Sequence, residues 1–292
     1  MSVYTEQILQ PMLLKQSPPF DSDDYIFELK FDGFRCIAYL NESTVLKSRN
    51  NKNLTNCFFE LQNLHRYVLK PCVLDGEIVI LINGRPDFNE LQKCNRVKNV
   101  NFAPKNFATF IAFDILYLGE NSLGGLSLLE RKKILQGNIE ENNFLAYSRY
   151  IENNGKDLFK LAKQLQFEGI VAKLKNSKYH FGKRSGEWIK IKVYNEKDLL
   201  ICGLFQNKNG YNLILTEFKD KVLVDAGTAS VVQSNADLKT ILDFADKNKI
   251  KNPYFNNYKG AVWFKPKLTG VVKFSEITKG GNMRHPIFKA LK

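Results

Sequence analysis

Lys30 stands between two carboxylates in Glu28-Leu29-Lys30-Phe31-Asp32-Gly33-Phe34-Arg35, with Tyr25-Ile26-Phe27 before it and Cys36-Ile37-Ala38-Tyr39-Leu40 after it. Aromatic and β-branched residues alternating with polar ones predict a strand through this run. Side chains two apart on a strand share a face, so Glu28, Lys30 and Asp32 are expected to point one way and Phe27, Leu29 and Phe31 the other. A lysine between carboxylates on the floor of a cleft could serve as an amine nucleophile. The same octapeptide also fits a surface strand with a charge ladder. A free lysine, with a pKa of ~10.4, is protonated at neutral pH. Glu28 and Asp32 alone would raise that value, so a nucleophilic Lys30 needs other cations nearby.

Five further clusters could join it: Lys47-Ser48-Arg49, Asp75-Gly76-Glu77, Phe113-Asp114, Glu168 and Lys173 bracketing Gly169-Ile170-Val171-Ala172, and Lys190 with Lys192 on one face with Trp188. Each alone has a bland reading. Paired lysines on an amphipathic strand are usually solvated, a phenylalanine at strand spacing is usually core, and a glutamate before glycine often caps a turn. No G-x-x-x-x-G-K-[ST] loop occurs, so a nucleotide would have to be held by side chains and metal.

The elements that must position these residues follow from periodicity. Strands are expected at Val45–Arg49, Cys72–Leu81, Thr109–Leu118, Phe167–Lys173 and Trp188–Val193, with a turn at Asn83-Gly84. Helical patterns cover Phe58–Tyr67, Leu126–Gln136 and Lys156–Gln166, the last with Leu158, Leu161, Ala162 and Leu165 at helical spacing. After Val193 the texture changes to short strand-like runs at 199–202, 211–215, 221–224, 261–264 and 270–274, interrupted by one helix at 236–248. Five short strands and one helix suggest a small barrel. Two domains are expected, 1–193 and 194–292, hinged at Tyr194-Asn195-Glu196-Lys197.

A chain of 292 residues, 44% hydrophobic and 12% aromatic, can fill real cores. Its net charge is +13. After Val193 there are 16 basic and 9 acidic residues, net +7; before it, 27 and 21, net +6. The second part is about half as long and so about twice as densely charged, which points to a polyanionic partner, nucleic acid first and a membrane surface second. The membrane is disfavoured: no basic amphipathic helix with a strong apolar face stands out, and the longest apolar run, Phe107–Leu118, is broken by Asp114. The five cysteines (Cys36, Cys57, Cys72, Cys94, Cys202) lack C-x-x-C spacing, most of them read as small core residues, and the set fits a reducing cytosol. With three histidines, a zinc site is not expected.

Taken in order, K-x-D-G-x-R at Lys30–Arg35, then Ser48-Arg49, Asp75-Gly76-Glu77, Phe113-Asp114, E-G-I-V-A-K at Glu168–Lys173 and W-x-K-x-K at Trp188–Lys192 resemble the covalent nucleotidyltransferase family of ATP-dependent DNA ligases. The tail, with Trp263-Phe264-Lys265-Pro266, Val271-Val272-Lys273-Phe274, Glu276, Thr278, Gly281 and Arg284-His285-Pro286-Ile287-Phe288, resembles the oligonucleotide-binding domain of bacterial end-joining (D-type) ligases. The implied fold is α+β: a two-sheet nucleotidyltransferase (adenylation) domain followed by a small OB-fold β-barrel.

The resemblance implies that Lys30 attacks the α-phosphorus of ATP to give a lysyl-AMP, with Lys190 and Lys192 holding the phosphate. It implies that Glu77 and Glu168 bind Mg²⁺ or Mn²⁺, with Glu77 alternatively reaching the ribose, and that Phe113 stacks on adenine. Glu28 and Lys173 would belong to the nucleotide pocket, and Arg35 and Arg49 would hold the ribose and the incoming DNA strand. Arg284 would come from the barrel to orient pyrophosphate, and the barrel's basic surface would bind DNA. Implied partners are nicked or broken duplex DNA and a Ku-type end-binding protein. A monomer in the bacterial cytoplasm, at the nucleoid or in a phage-infected cell, is expected. No separate DNA-encircling domain fits before Lys30.

Three departures from the pattern stand out. Asn50-Asn51-Lys52-Asn53 replaces the usual Gly and Asp after Arg49, the segment 225–230 is glycine-poor, and the tail after Phe288 is short. An RNA ligase or a capping guanylyltransferase of the same superfamily, and a DNA-binding protein without catalysis, remain the alternatives.

Overall fold

A computed structural model of the chain describes residues 2–96, 106–208, 210–232, 236–278 and 280–292. Its contacts separate two units, Met1–Val193 and Tyr194–Lys292.

In the first unit the described strands are β1 (Lys15–Gln16), β2 (Ser22–Lys30), β3 (Phe34–Leu40), β4 (Thr44–Ser48), β5 (Cys72–Ile82), β6 (Arg85–Pro86), β7 (Ala108–Leu118), β8 (Asn121–Ser122), β9 (Leu145–Tyr147), β10 (Tyr150–Asn153), β11 (Gly169–Leu174) and β12 (Trp188–Lys192). The helices are α1 (Val3–Glu6), α2 (Phe88–Arg96), α3 (Leu128–Asn138) and α4 (Gly155–Gln164). One sheet runs β1-β12-β11-β2-β10, and a second runs β4-β3-β5-β7-β8 with β6 and β9 paired at its margins.

The run expected to be one strand through Lys30 is two strands in different sheets. β2 ends at Lys30, β3 starts at Phe34, and Asp32 therefore lies beyond the strand instead of sharing its face. Gly33 makes the crossing possible, because a Cβ there would sit 2.2 Å from the carbonyl oxygen of Ile78.

Three cores hold the unit together. Ile26 and Trp188 of the first sheet meet Ile37, Tyr39, Val73 and Leu116 of the second in the layer between the sheets. The outer face of the first sheet packs Phe27, Ile170, Ala172 and Ile191 under α4. Its helical contacts are Leu158, Phe159 and Ala162, whereas the expected Leu161 and Leu165 are 44% and 38% exposed. The outer face of the second sheet buries Cys36, Leu40, Phe110 and their neighbours. There the segment expected as a helix over Phe58–Tyr67 forms two short 3₁₀ turns, Phe59–Leu61 and Leu64–Tyr67. α3 starts on a capping box, in which the Ser127 hydroxyl accepts from the Glu130 N–H and the Glu130 carboxylate accepts from the Ser127 N–H at 2.8 Å. The β5–β6 turn is Asn83-Gly84, both with positive φ (52° and 76°), as expected.

The second unit is a closed barrel of β13 (Asn195–Asn207), β14 (Gly210–Lys219), β15 (Val222–Ser230), β16 (Val262–Phe274) and β17 (Ile287–Leu291), in the order β13-β14-β15-β17-β16. Helix α5 (Asp237–Lys247) packs Ile241 and Ala245 onto its core. The runs expected as separate strands at 261–264 and 270–274 are one strand, β16, and the fifth strand is β17. The expected hinge also shortens: Asn195, Glu196 and Lys197 already pair with Phe274, Lys273 and Val272.

Cys36, Cys72 and Cys202 are buried and Cys57 partly so, all as free thiols; the Cys94 side chain lies outside the described ones. No described helix is long and apolar enough to cross a membrane.

Candidate active site

Register decides which side chains meet. Antiparallel pairing of β2, β11 and β12 sets three cross-strand rows: Ile26–Lys173–Trp188, Glu28–Val171–Lys190 and Lys30–Gly169–Lys192. Their side chains share the face toward the second sheet, where a cavity of about 530 Å³ opens. Glu28, Lys30, Arg35, Arg49, Glu77, Phe113, Glu168, Lys173, Lys190 and Lys192 all line it. Ten of the eleven expected residues thus converge, from segments between Glu28 and Lys192, eight of them on strands and Arg49 and Glu168 just outside strand ends. Arg284 belongs to the barrel unit, where its guanidinium pairs with Glu276 at 2.9 Å.

The middle of the last row is Gly169, with φ of 146°. A Cβ there would fall 2.0 Å from the Ile191 carbonyl oxygen, so a side chain would push β11 off β12. The adjoining Glu168 bridges two lysines: one carboxylate oxygen pairs with Lys30 and the other with Lys192 at 2.6 Å. Burial alone would raise the Glu168 pKa, but Lys30 and Lys192 outweigh it and hold it below the usual range. Lys190 shifts down through burial first, then through Lys192, Lys30 and Arg184. This end of the cavity therefore gathers ammonium groups around a single paired carboxylate, a setting for the phosphates of a nucleotide.

The carboxylate expected beside Lys30 is engaged elsewhere. Glu28 is buried and takes Lys173 at 3.1 Å on both oxygens and Lys132 at 2.5 Å. The two ammonium groups outweigh burial and keep Glu28 ionised. Lys173 in turn is pulled down to about 8, because burial outweighs the attraction of Glu28. Its ammonium lies 4.4 Å from the Phe113 ring centre and 4.2 Å from that of Trp188. Phe113 and Trp188 meet edge to face at 6.2 Å. This second end is aromatic and polar at once, as a base pocket must be.

On the facing sheet, Arg35 and Glu77 are cross-strand partners on β3 and β5. Arg35 donates to both oxygens of Asp75, at 3.0 and 2.7 Å, and Tyr179 donates its hydroxyl proton to Asp75 at 2.5 Å. The Tyr179 oxygen accepts from the Met12 N–H at 3.0 Å. Burial pushes Glu77 up to about 8, against the attraction of Lys30 and Arg35. A cation beside Glu77 would relieve that penalty. No group of three or more His, Cys, Asp or Glu side chains forms a closed metal cage among the described residues. Glu77 and Glu168 fit instead an ion held by one or two carboxylates plus phosphate oxygens and water, as Mg²⁺ is. Arg49 is exposed at the cavity rim, and its N–H donates to the Arg35 carbonyl at 3.2 Å. In the turn that follows, Asn51 takes a φ of 59°, a conformation asparagine tolerates where glycine would otherwise serve.

Sequence reasoning missed Lys132, Arg131, Tyr179 and Arg184. Arg131 is fully buried and binds both Asp114 oxygens at 2.8 Å and the carbonyls of Leu126 and Ser177. In the sequence, Glu130-Arg131-Lys132-Lys133 looks like a solvated helix face, and no spacing marks its two middle residues as buried.

Fold and site together define a covalent nucleotidyltransferase: two sheets around a lysine-centred cavity, followed by a barrel. Residues 10–192 match the ATP dependent DNA ligase domain family, and residues 207–292 match the ATP dependent DNA ligase C terminal region. The chain is 34% identical over 201 residues to the SPbeta prophage-derived DNA ligase-like protein LigB of Bacillus subtilis, covering 67% of this chain and 71% of that protein. It is 28% identical over 298 residues to the multifunctional non-homologous end joining protein LigD of Mycolicibacterium smegmatis, covering 97% of this chain and 38% of that protein's length. The solved mycobacterial DNA ligase D complexed with ATP and MES has the same fold, with a TM-score of 0.58 and 25% identity over 97% of this chain and 95% of that one. This chain belongs to the ATP-dependent DNA ligase family. The RNA-ligase, capping and non-catalytic alternatives are not favoured by these relatives.

Proposed function

We propose that this chain seals 5′-phosphate/3′-hydroxyl breaks in duplex DNA through an adenylate carried on Lys30. The supporting observation is the placement of Lys30 at the cationic end of a cavity whose other end is aromatic, with Glu168 bridging Lys30 to Lys192.

The first step is attack by the Lys30 amine on the α-phosphorus of ATP. A P–N bond forms, the bond to the β-phosphate oxygen breaks, and pyrophosphate leaves. Lys190 and Lys192 hold the α-phosphate and offset charge as it develops on the leaving group. Phe113 stacks on the adenine, with Glu28 and Lys173 at the base end. A divalent ion held by Glu77 and Glu168 would supply positive charge beside the phosphates and favour the unprotonated amine. Arg284 of the barrel unit would orient the departing pyrophosphate. In the second step a DNA 5′-phosphate oxygen attacks the same phosphorus and Lys30 is released. In the third, the 3′-hydroxyl attacks the adenylated 5′-phosphate and AMP departs. Arg35 and Arg49 hold the ribose and the incoming strand.

We assign residues 1–193 to adenylation and 194–292 to DNA binding. Similarity to proteins named for non-homologous end joining supports a role in end joining, in which a Ku-type protein would be the partner; general or phage nick repair is the second reading, prompted by a relative named as prophage-derived, and in either case the chain would act in the bacterial cytoplasm. The test is sealing of a 5′-labelled nick. ATP should support joining of a DNA nick far better than GTP, and a DNA nick should be joined far better than an all-RNA one. Preferential joining of the RNA nick would overturn the assignment.

A further inference from the structure

Two buried lysines hold one buried carboxylate at the aromatic end of the cavity. Glu28 takes Lys173 at 3.1 Å on both oxygens and Lys132 at 2.5 Å on one. Lys132 is as hidden as Lys173, at 5% and 2% exposure. One ammonium would neutralise the carboxylate. The second leaves a buried net positive charge, which is a cost to folding. Stability therefore does not call for both lysines, and the cavity beside them does.

The two differ in where they stand. Lys173 lines the cavity with Glu28, Phe113 and Trp188, and its ammonium lies over both rings. Lys132 comes from α3 and is not among the lining residues. Its ammonium donates to the Ser148 carbonyl at 3.4 Å and lies 5.8 Å from the Tyr150 ring centre. Tyr150 is itself the cross-strand partner of Glu28, on β10. The surroundings of Lys132 are fixed. Its neighbour Arg131 binds both oxygens of Asp114 on β7, and the Ser148 N–H donates to the Ala112 carbonyl of the same strand at 2.8 Å. Lys132 thus reaches Glu28 from outside the space a nucleotide would fill.

The cavity side of Glu28 has a matching task. Adenine carries a 6-amino group that donates and ring nitrogens that accept. An ionised glutamate only accepts and an ammonium only donates. The 6-amino group therefore suits Glu28 and a ring nitrogen suits Lys173. A Lys173 ammonium drawn to the base loosens its hold on Glu28, and Lys132 is then the cation that keeps the carboxylate charged and in place.

We infer that Lys132 is a positioning residue for base selection, anchoring Glu28 from behind the cavity wall so that its carboxylate accepts from the 6-amino group of adenine. The inference rests on the reading of the cavity as an ATP site. Side chains that touch a ligand need such support to hold their geometry.

The test compares ATP with purine riboside 5′-triphosphate, which lacks only the 6-amino group, in self-adenylation of the full chain. Wild type should show a KM for the analogue about 10- to 100-fold above that for ATP, the span of one hydrogen bond to a charged group. In Lys132→Met the KM for ATP should rise toward that of the analogue, while the KM for the analogue changes little. The kcat should change by less than about threefold, since uniform binding is what is lost. Lys132→Arg should restore the preference. If Lys132→Met melts too low to assay, Lys132→Gln should show the same narrowing to a smaller degree. Equal losses on both nucleotides, a fall in kcat with KM unchanged, or a preference left intact overturns the proposal. Binding of both nucleotides to Lys30→Ala and to its Lys132→Met double variant, in a metal chelator, repeats the comparison without chemistry. A wild-type chain that never adenylates would refute the ligase reading, while these binding ratios still decide the role of Lys132.

Discussion

Lys30 and Glu168, 138 positions apart in the chain, meet because Lys30 lies opposite Gly169 across the β2–β11 ladder. The carboxylate also holds Lys192, so one acidic group organises two of the ammonium groups at the cationic end of the cavity. Glu168→Gln removes this organisation together with one of the two carboxylates proposed to hold a divalent ion. Self-adenylation should fall on the order of 100-fold or more. ATP binding measured in a metal chelator should hold or strengthen, because a negative charge near the phosphates is gone. Weaker ATP binding in chelator would contradict this role.

Gly169→Ala tests the row itself. The Cβ has nowhere to go without parting β11 from β12, and its φ is one that alanine avoids. A cost of about 1–3 kcal/mol in denaturant melts is expected, together with a clear loss of adenylation as Glu168 drifts from Lys30. Unchanged stability and activity would mean the close approach is not needed.

Burial lowers Lys173 from 10.5 to about 8. Between those values the unfolded chain binds the extra proton and the folded chain does not, so stability attributable to this group rises as pH rises from about 8 to 10.5. The gain is up to about 3 kcal/mol. Denaturant melts of wild type and Lys173→Met at pH 7.5 and 10 should show the wild type gaining on the variant at the higher pH. A gap that stays constant would show that the lysine titrates alike in both states.

Arg131 and Asp114 are both fully buried. Arg131→Met strands a carboxylate in the core and should cost about 3–5 kcal/mol, whereas a double change to apolar residues of similar size should recover part of the loss. Thermal melts of the single and double variants decide it; a double variant as unstable as the single one would show that packing, and not the unpaired charge, sets the cost.

The site was far more legible in the sequence than the connections that build it. Lys30, Glu77, Glu168, Lys190 and Lys192 could be picked out because their chemistry sits in short ordered motifs. The break between β2 and β3 could not, because Phe31-Asp32-Gly33 sits inside an unbroken strand-like texture, and the close approach of Gly33 to Ile78 that the crossing requires is visible only in the structure. Lys132 and Arg131 escaped for the opposite reason: their partners, Glu28 and Asp114, lie on distant strands, so nothing local distinguishes them from solvated residues. In the barrel, runs at 261–264 and 270–274 read as two strands because Lys265-Pro266-Lys267 interrupts the pattern, yet that interruption is a bulge within one strand. The 3₁₀ turns at 59–67 read as helix since both conformations place apolar residues three apart.

The central claim is that Lys30 carries the nucleotide. Intact-mass analysis after incubation with ATP and Mg²⁺, following pyrophosphate treatment to strip any bound AMP, tests it most directly. Wild type should gain the mass of one AMP and Lys30→Ala should gain none. An adduct of equal yield on the alanine variant, or none on either protein, would contradict the account.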